Sequence, residues 1–160
     1  MPTALVPGSF DPIHLGHVEV IEVTARLFDR VVVATVGNPA KSATGLFDLK
    51  ERDALVAASV AHLPNVTTTT WSGLVIDLAR DLGAEVIVKG LRGVTDFEYE
   101  VQMAQTNKHV SGVVTFFVPT APQHGFIASR FIREIARMGG SVADMVPPPV
   151  ARRLAEVFPA

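Results

Sequence analysis

The segment Pro7-Gly8-Ser9-Phe10-Asp11-Pro12-Ile13-His14-Leu15-Gly16-His17 brings a glycine, a hydroxyl and two imidazoles into one short stretch. It follows an apolar run and precedes an amphipathic one, so it reads as a strand-to-helix turn. The first amides of a helix lack intrahelical partners, and the helix dipole is positive there, so such a turn attracts phosphate. Gly8 lets backbone approach a ligand closely. Ser9 adds a hydroxyl, and His14 and His17 add ring N–H donors. Asp11 reads as a turn and hydrogen-bonding residue rather than a base. The same composition also suits a helix cap with incidental histidines. No G-x-x-x-x-G-K-[ST] loop and no G-x-G-x-x-G follow the first strand, which argues against a kinase or a dinucleotide dehydrogenase.

Cations recur at the ends of later apolar runs. Lys41 follows Asn38-Pro39, Lys89 ends a run, and Arg92 stands in a glycine-flanked loop. Asp96-Phe-Glu-Tyr-Glu100 sits at a helix start, where acidic residues suit the dipole. Ser129 is read as the N-cap of a later helix, with Arg130 and Arg133 in its first turn. Cations are disfavoured there by about 0.3–1 kcal/mol each unless an anion is present. No three His, Asp or Glu residues have convincing transition-metal spacing.

Positioning these residues requires a sheet. Short apolar runs at Thr3–Val6, Arg30–Val36, Val66–Trp71, Glu85–Lys89 and Val113–Val118 read as strands, mostly buried and parallel. Thr67–Thr70 marks the third as an edge or half-exposed strand. Amphipathic segments alternate with them: Val18–Phe28, Leu49–His62 capped by Asp48, Leu74–Leu82 ending at Gly83, Phe97–His109, Phe131–Met138 and Val150–Val157 after Pro147. The order predicts one α/β domain over 1–160, a doubly wound (Rossmann-like) five-stranded parallel sheet with helices on both faces. Ligands of such sheets lie beyond the carboxyl ends of the strands. Those ends lead into Pro7–His14, Gly37–Phe47, Trp71–Gly73, Gly90–Asp96 and Pro119–Ile127.

The 160 residues suit one domain, and 48% apolar against 19% charged residues suffice for a core. Fourteen basic and sixteen acidic residues leave a net charge of −2, without the basic surplus of a nucleic-acid binder. Cysteine is absent, which excludes disulfides and thiolate metal sites. No signal peptide or membrane span is evident, so a cytoplasmic location is expected, with neither nucleic acid nor membrane as partner.

Gly8 to His17 resembles the G-[ST]-F-D-P-x-[TH]-x-G-H signature of the nucleotidylyltransferase superfamily. Lys89-Gly-Leu-Arg-Gly-Val-Thr-Asp-Phe-Glu-Tyr-Glu100 is similar to the R-G-L-R-x-x-x-D-F-E-Y-E stretch of the phosphopantetheine adenylyltransferase family, and the likeness extends over nearly the whole chain. The resemblance implies in-line transfer of the adenylyl group of ATP, with Mg²⁺, to 4′-phosphopantetheine. The products would be dephospho-coenzyme A and pyrophosphate, without a covalent intermediate. It implies catalytic roles for His17, Lys41 and Arg92. ATP would contact Gly8, Ser9, Phe10, His14, His17, Gly90, Leu91, Arg92, Glu100, Ile127, Ser129 and Arg130. The acceptor would contact Ser9, Lys41, Leu74, Val75 and Lys89. A homohexamer and feedback by coenzyme A are further implications. Two departures stand out. Lys89 replaces the family's arginine, keeping charge but losing the bidentate fork. Ala128 and Arg130 replace serines of the helix that binds ATP phosphates. A nicotinamide mononucleotide adenylyltransferase, for which His14 is equally suitable, and a non-catalytic nucleotide-binding module are the alternatives.

Overall fold

The computed structural model describes residues 2–37 and 45–159. Lys41 lies outside them. The elements run β1 (Thr3–Gly8), α1 (Leu15–Leu27), β2 (Arg30–Val36), α2 (Leu49–Ser59), β3 (Val66–Trp71), α3 (Val75–Leu82), β4 (Val86–Leu91), α4 (Val94–Ser111), β5 (Val114–Pro119), α5 (Ser129–Arg137) and α6 (Pro148–Val157). The strands form one sheet in the order β3-β2-β1-β4-β5, and every pairing is parallel. This is the predicted doubly wound architecture. The strand order reverses beside β1, so a crevice opens at the carboxyl ends of β1 and β4.

Alternation along the strands divides the core. Ala4, Val6, Val31, Val33, Val86 and Val88 face a large cluster with Ile21 of α1, Val56 of α2, Ile132 of α5 and Leu154 of α6. Leu5, Val32, Ala34 and Ile87 face the other way, onto Leu78 and Ala79 of α3. β1 and β2 are buried nearly throughout, as apolar strands covered on both faces must be. β3 is an edge strand, and its threonines are half-buried or exposed. Asp48 caps α2 by accepting from the Glu51 amide at 2.8 Å, and Gly83 ends α3 at φ 63°.

Some boundaries differ from those predicted. β4 continues through Gly90 and Leu91, which pair with Val118 and Pro119 of β5, so the loop begins only at Arg92. Gly90 is required there: a Cβ would stand 2.8 Å from Val20 Cγ2 of α1. α4 starts earlier, at Val94, which places Asp96 within its first turn. Ser129 is not the N-cap of α5. Ala128 occupies that position, and the Ser129 hydroxyl instead donates to the Pro12 carbonyl at 2.9 Å.

Ile21 is fully buried between α1 and the sheet, so truncating it leaves a cavity. Ile21→Ala is expected to lower unfolding free energy by about 2–5 kcal/mol in urea titrations. Thr67→Ala, on the exposed side of β3, should change it by no more than about 0.5 kcal/mol. Equal effects would contradict this layering.

Candidate active site

α1 begins with two histidines whose rings accept from backbone amides of the turn. The Gly16 amide donates to His14 Nδ1 at 3.1 Å, and the His14 amide donates to His17 Nδ1 at 3.2 Å. This is a capping box built from imidazoles. The rings stack with centroids 3.6 Å apart, and Phe10 meets His17 edge-on at 5.1 Å. Phe10 holds a left-handed φ of 47°, uncommon for a non-glycine residue, and lies over Gly8. A Cβ on Gly8 would come within 2.7 Å of its ring, so Gly8 is fixed by Phe10 as much as by any ligand.

With Nδ1 accepting in both rings, each neutral imidazole carries its hydrogen on Nε2. Both are held neutral. Burial, then the charges of Arg92 and His124, lowers His14 to about 3. Burial, then His14, Arg92 and Lys89, pushes His17 well below its ordinary value. The helix start therefore offers imidazole N–H donors without a positive ring charge at the wrong end of the dipole.

A cavity of about 300 Å³ opens over this turn at the carboxyl ends of β1 and β4. Its wall includes Gly8, Ser9, Phe10, His14 and His17, then Lys89, Gly90, Arg92 and Glu100 from the other side of the crevice, and Ser129 from α5. Each cation is held by a partner. Lys89 Nζ lies 3.4 Å from Glu100. Arg92 pairs with Asp96 at 3.1 Å and donates to the Ile127 carbonyl at 2.7 Å. Leu91 and Ile127 are not in the wall. Leu91 accepts from the Thr120 amide through its carbonyl, and Ile127 is buried. Arg130 points away, exposed, with its guanidinium 4.6 Å from the Phe131 ring centroid.

A second cavity of about 300 Å³ lies on the α3–α4 side of the sheet. Leu74 and Val75 line it, with Tyr99, Met103 and Asn107 of α4. The two cavities share Pro7, Lys89 and Glu100, so the ion pair stands where they meet.

Arg133, singled out with Arg130 as a first-turn cation but given no site role, lines the first cavity and donates to the Asp11 carbonyl at 2.6 Å. Sequence reasoning missed several other contributors. Met103 and Asn107 follow Glu100 at intervals of three and seven, on one helical face. Arg52 of α2 donates to the Ser9 carbonyl at 2.8 Å, a tertiary contact with no local signal. Asp11 acts as expected: its carboxylate accepts from the Leu46 and Phe47 amides at 2.8 and 3.0 Å. Trp71 packs against the smaller core cluster, and its indole donates to the Leu74 carbonyl.

The cytidylyltransferase-like family model matches residues 5–135, which include the β1–α1 turn, Lys89–Glu100 and the start of α5. Among solved structures, one described as a nicotinate-nucleotide adenylyltransferase from Vibrio parahaemolyticus superposes with a TM-score of 0.67 at 22% identity. The match covers 96% of this chain and 99% of that one, and at this identity it speaks for the fold. A crevice at the strand-order reversal, floored by an imidazole-capped helix start and faced by paired cations, accords with nucleotidyl transfer, and the chain belongs to the cytidylyltransferase-like family of nucleotidyltransferases.

Proposed function

We propose that the chain transfers the adenylyl group of ATP to 4′-phosphopantetheine, giving dephospho-coenzyme A and pyrophosphate. The observation that carries this reading is the junction of two unlike cavities at Lys89. One offers N–H donors and cations, as a triphosphate needs. The other is lined by Leu74, Val75 and Met103 with Asn107, which suits a slender arm carrying amides. A phosphate at the tip of that arm would reach Lys89 and displace Glu100. Coenzyme A carries the same arm, which is the basis for expecting it to compete there.

The acceptor phosphate is ionised at neutral pH and needs no general base. One of its oxygens bonds to the α-phosphorus as the bond from that phosphorus to the bridging oxygen breaks, and pyrophosphate leaves. Catalysis then consists of alignment and charge stabilisation. His17 donates its Nε2 hydrogen to an α-phosphate oxygen. Ser9 lies between the substrates, and Arg92, with Ser129 and the α5 amides, holds the leaving pyrophosphate. Arg130, exposed beside Phe131, would reach a phosphate only by leaving that ring. Lys41 is assigned to orient the attacking phosphate. Mg²⁺ accompanying ATP would be held by phosphate oxygens and water, and would offset phosphate charge. Among the described residues no cluster of three His, Cys, Asp or Glu side chains is placed to hold an ion of its own.

A pyridine mononucleotide is the second acceptor to consider. Tyr99 in the second cavity offers a ring for stacking, and the solved relative is described as acting on nicotinate nucleotide. Pyrophosphate release from ATP with a panel of acceptors separates the readings. 4′-Phosphopantetheine should be preferred, and preference for either pyridine mononucleotide would overturn the assignment. In the same assay His17→Ala should lower kcat about 10²–10³-fold while ATP binding weakens less. Near-normal turnover would remove His17 from the mechanism.

The lowered His14 has a consequence for stability. An unfolded histidine takes up a proton near pH 6.5, whereas folded His14 does so only near 3. Between those values the unfolded state binds more protons, so stability falls as pH falls. His14→Asn keeps an acceptor for the Gly16 amide without titrating there. Between pH 6.5 and 5 the variant should lose less stability than the parent in denaturant titrations. Equal slopes would show that His14 titrates normally.

The proposed assembly is a homohexamer. α4 has no buried residue, and Phe97, Tyr99, Met103 and Val110 are exposed, as is Phe116 of β5. Such apolar exposure commonly marks contact surfaces. Sedimentation equilibrium should give six times the 17.1 kDa chain mass, and a single-chain species at micromolar concentration would refute it.

A further inference from the structure

Between β5 and α5 the chain runs from Thr120 to Ala128 without regular secondary structure, yet it supplies part of the nucleotide side of the cavity. We infer that Glu19 and His124 form a latch that positions this connection against α1, and that both are positioning residues for ATP. The inference rests on the adenylyl-transfer reading for its substrate.

Glu19 follows His17 by two residues on α1. One carboxylate oxygen accepts from the Ala121 amide at 3.0 Å, and the other lies 2.5 Å from His124 Nδ1. A carboxylate oxygen accepts, so Nδ1 donates. Within the turn the His124 amide donates to the Ala121 carbonyl at 2.9 Å. One carboxylate therefore grips both ends of the same turn, across more than a hundred residues of sequence.

Both flanks of the turn reach the site. On one side Thr120 lines the cavity, and its amide donates to the Leu91 carbonyl at 2.8 Å. On the other, the Ile127 amide donates to the His124 carbonyl at 3.0 Å, and the Ile127 carbonyl accepts from Arg92 at 2.7 Å. Ser129 follows two residues on, bonded back to Pro12. Releasing the turn would free Thr120, one of the two holds on Arg92, and the approach to α5.

An ordinary surface ion pair would do none of this and contributes little. This pair is different in three respects. Its side chains are only 22% and 25% exposed, the carboxylate also binds a backbone amide, and the segment it holds has no ladder of its own. Charge-assisted bonds of this kind are among the stronger ones. None of the latch residues lines the second cavity, so the acceptor side should be insensitive to it.

The test uses the full chain and α,β-methylene ATP, whose binding is read by calorimetry without any acceptor. Glu19→Gln and His124→Phe should each weaken its binding about tenfold, the scale of one lost charged hydrogen bond. The double variant should be no worse than the poorer single one, because both break one latch. His124→Asn, which keeps a donor at the δ position, should recover most of the affinity. In turnover, KM for ATP should rise while KM for 4′-phosphopantetheine moves less than about twofold. Unchanged analogue binding, additive losses, or equal rises in both KM values would overturn the latch. If no acceptor yields pyrophosphate, the proposed reaction fails, and calorimetry still decides the latch.

Discussion

The start of α1 has to satisfy amide groups beneath the buried His14 ring and the half-buried His17 ring, at the floor of a crevice. An unpaired buried amide is costly, so something must accept from them. Here the acceptors are the Nδ1 atoms of His14 and His17. That choice fixes both tautomers, sets the stacking of the rings and leaves both Nε2 hydrogens available. It also disfavours protonation, since an imidazolium has no lone pair to offer the cap. The chemistry of the turn thus follows from a helix-capping requirement. Such a ring cannot serve as a general base. The scaffold consequently suits acceptors that bring their own negative charge.

The rest of the site balances charge locally. The chain is slightly acidic overall, yet Lys89, Arg92 and Arg133 line its crevice. Lys89, Arg92 and Arg133 are each tied to a carboxylate or carbonyl, so their positions are set before a ligand arrives. Preorganised donors cost little reorganisation during a reaction. In the proposed reaction Glu100 would be the exchangeable member, because Lys89 would have to leave it to bind an incoming phosphate.

Much of this was legible in the sequence for identifiable reasons. Continuous Val/Ile runs announced buried parallel strands, Asp48 and Gly83 marked helix ends, and the threonines of β3 marked an edge. The β1–α1 turn was legible because its residues are contiguous. What escaped was mostly non-local. Arg52 meets Ser9, and Glu19 meets Ala121 and His124, only because the fold brings distant segments together. Ser129 looked like a cap from its type and place, but Pro12 offers its hydroxyl a partner that no local pattern reveals. Gly90 and Leu91 looked like loop because glycine punctuates strands. The strand continues because α1 approaches so closely that only glycine fits beside Val20. The proposed acceptor rests on the resemblance of Lys89–Glu100 together with the second cavity, and composition alone carries no trace of it.

α4 combines length with an absence of buried residues. Helices owe most of their persistence to packing of an apolar face, and this one packs that face little within its own chain. It is therefore among the elements whose local opening costs least. It nevertheless supplies Glu100, Tyr99, Met103 and Asn107 to the second cavity. Whatever covers its outer side, or fills the space beneath it, adds directly to its order. A ligand in that cavity and a surface over that helix would each order the same residues, so either would favour the other.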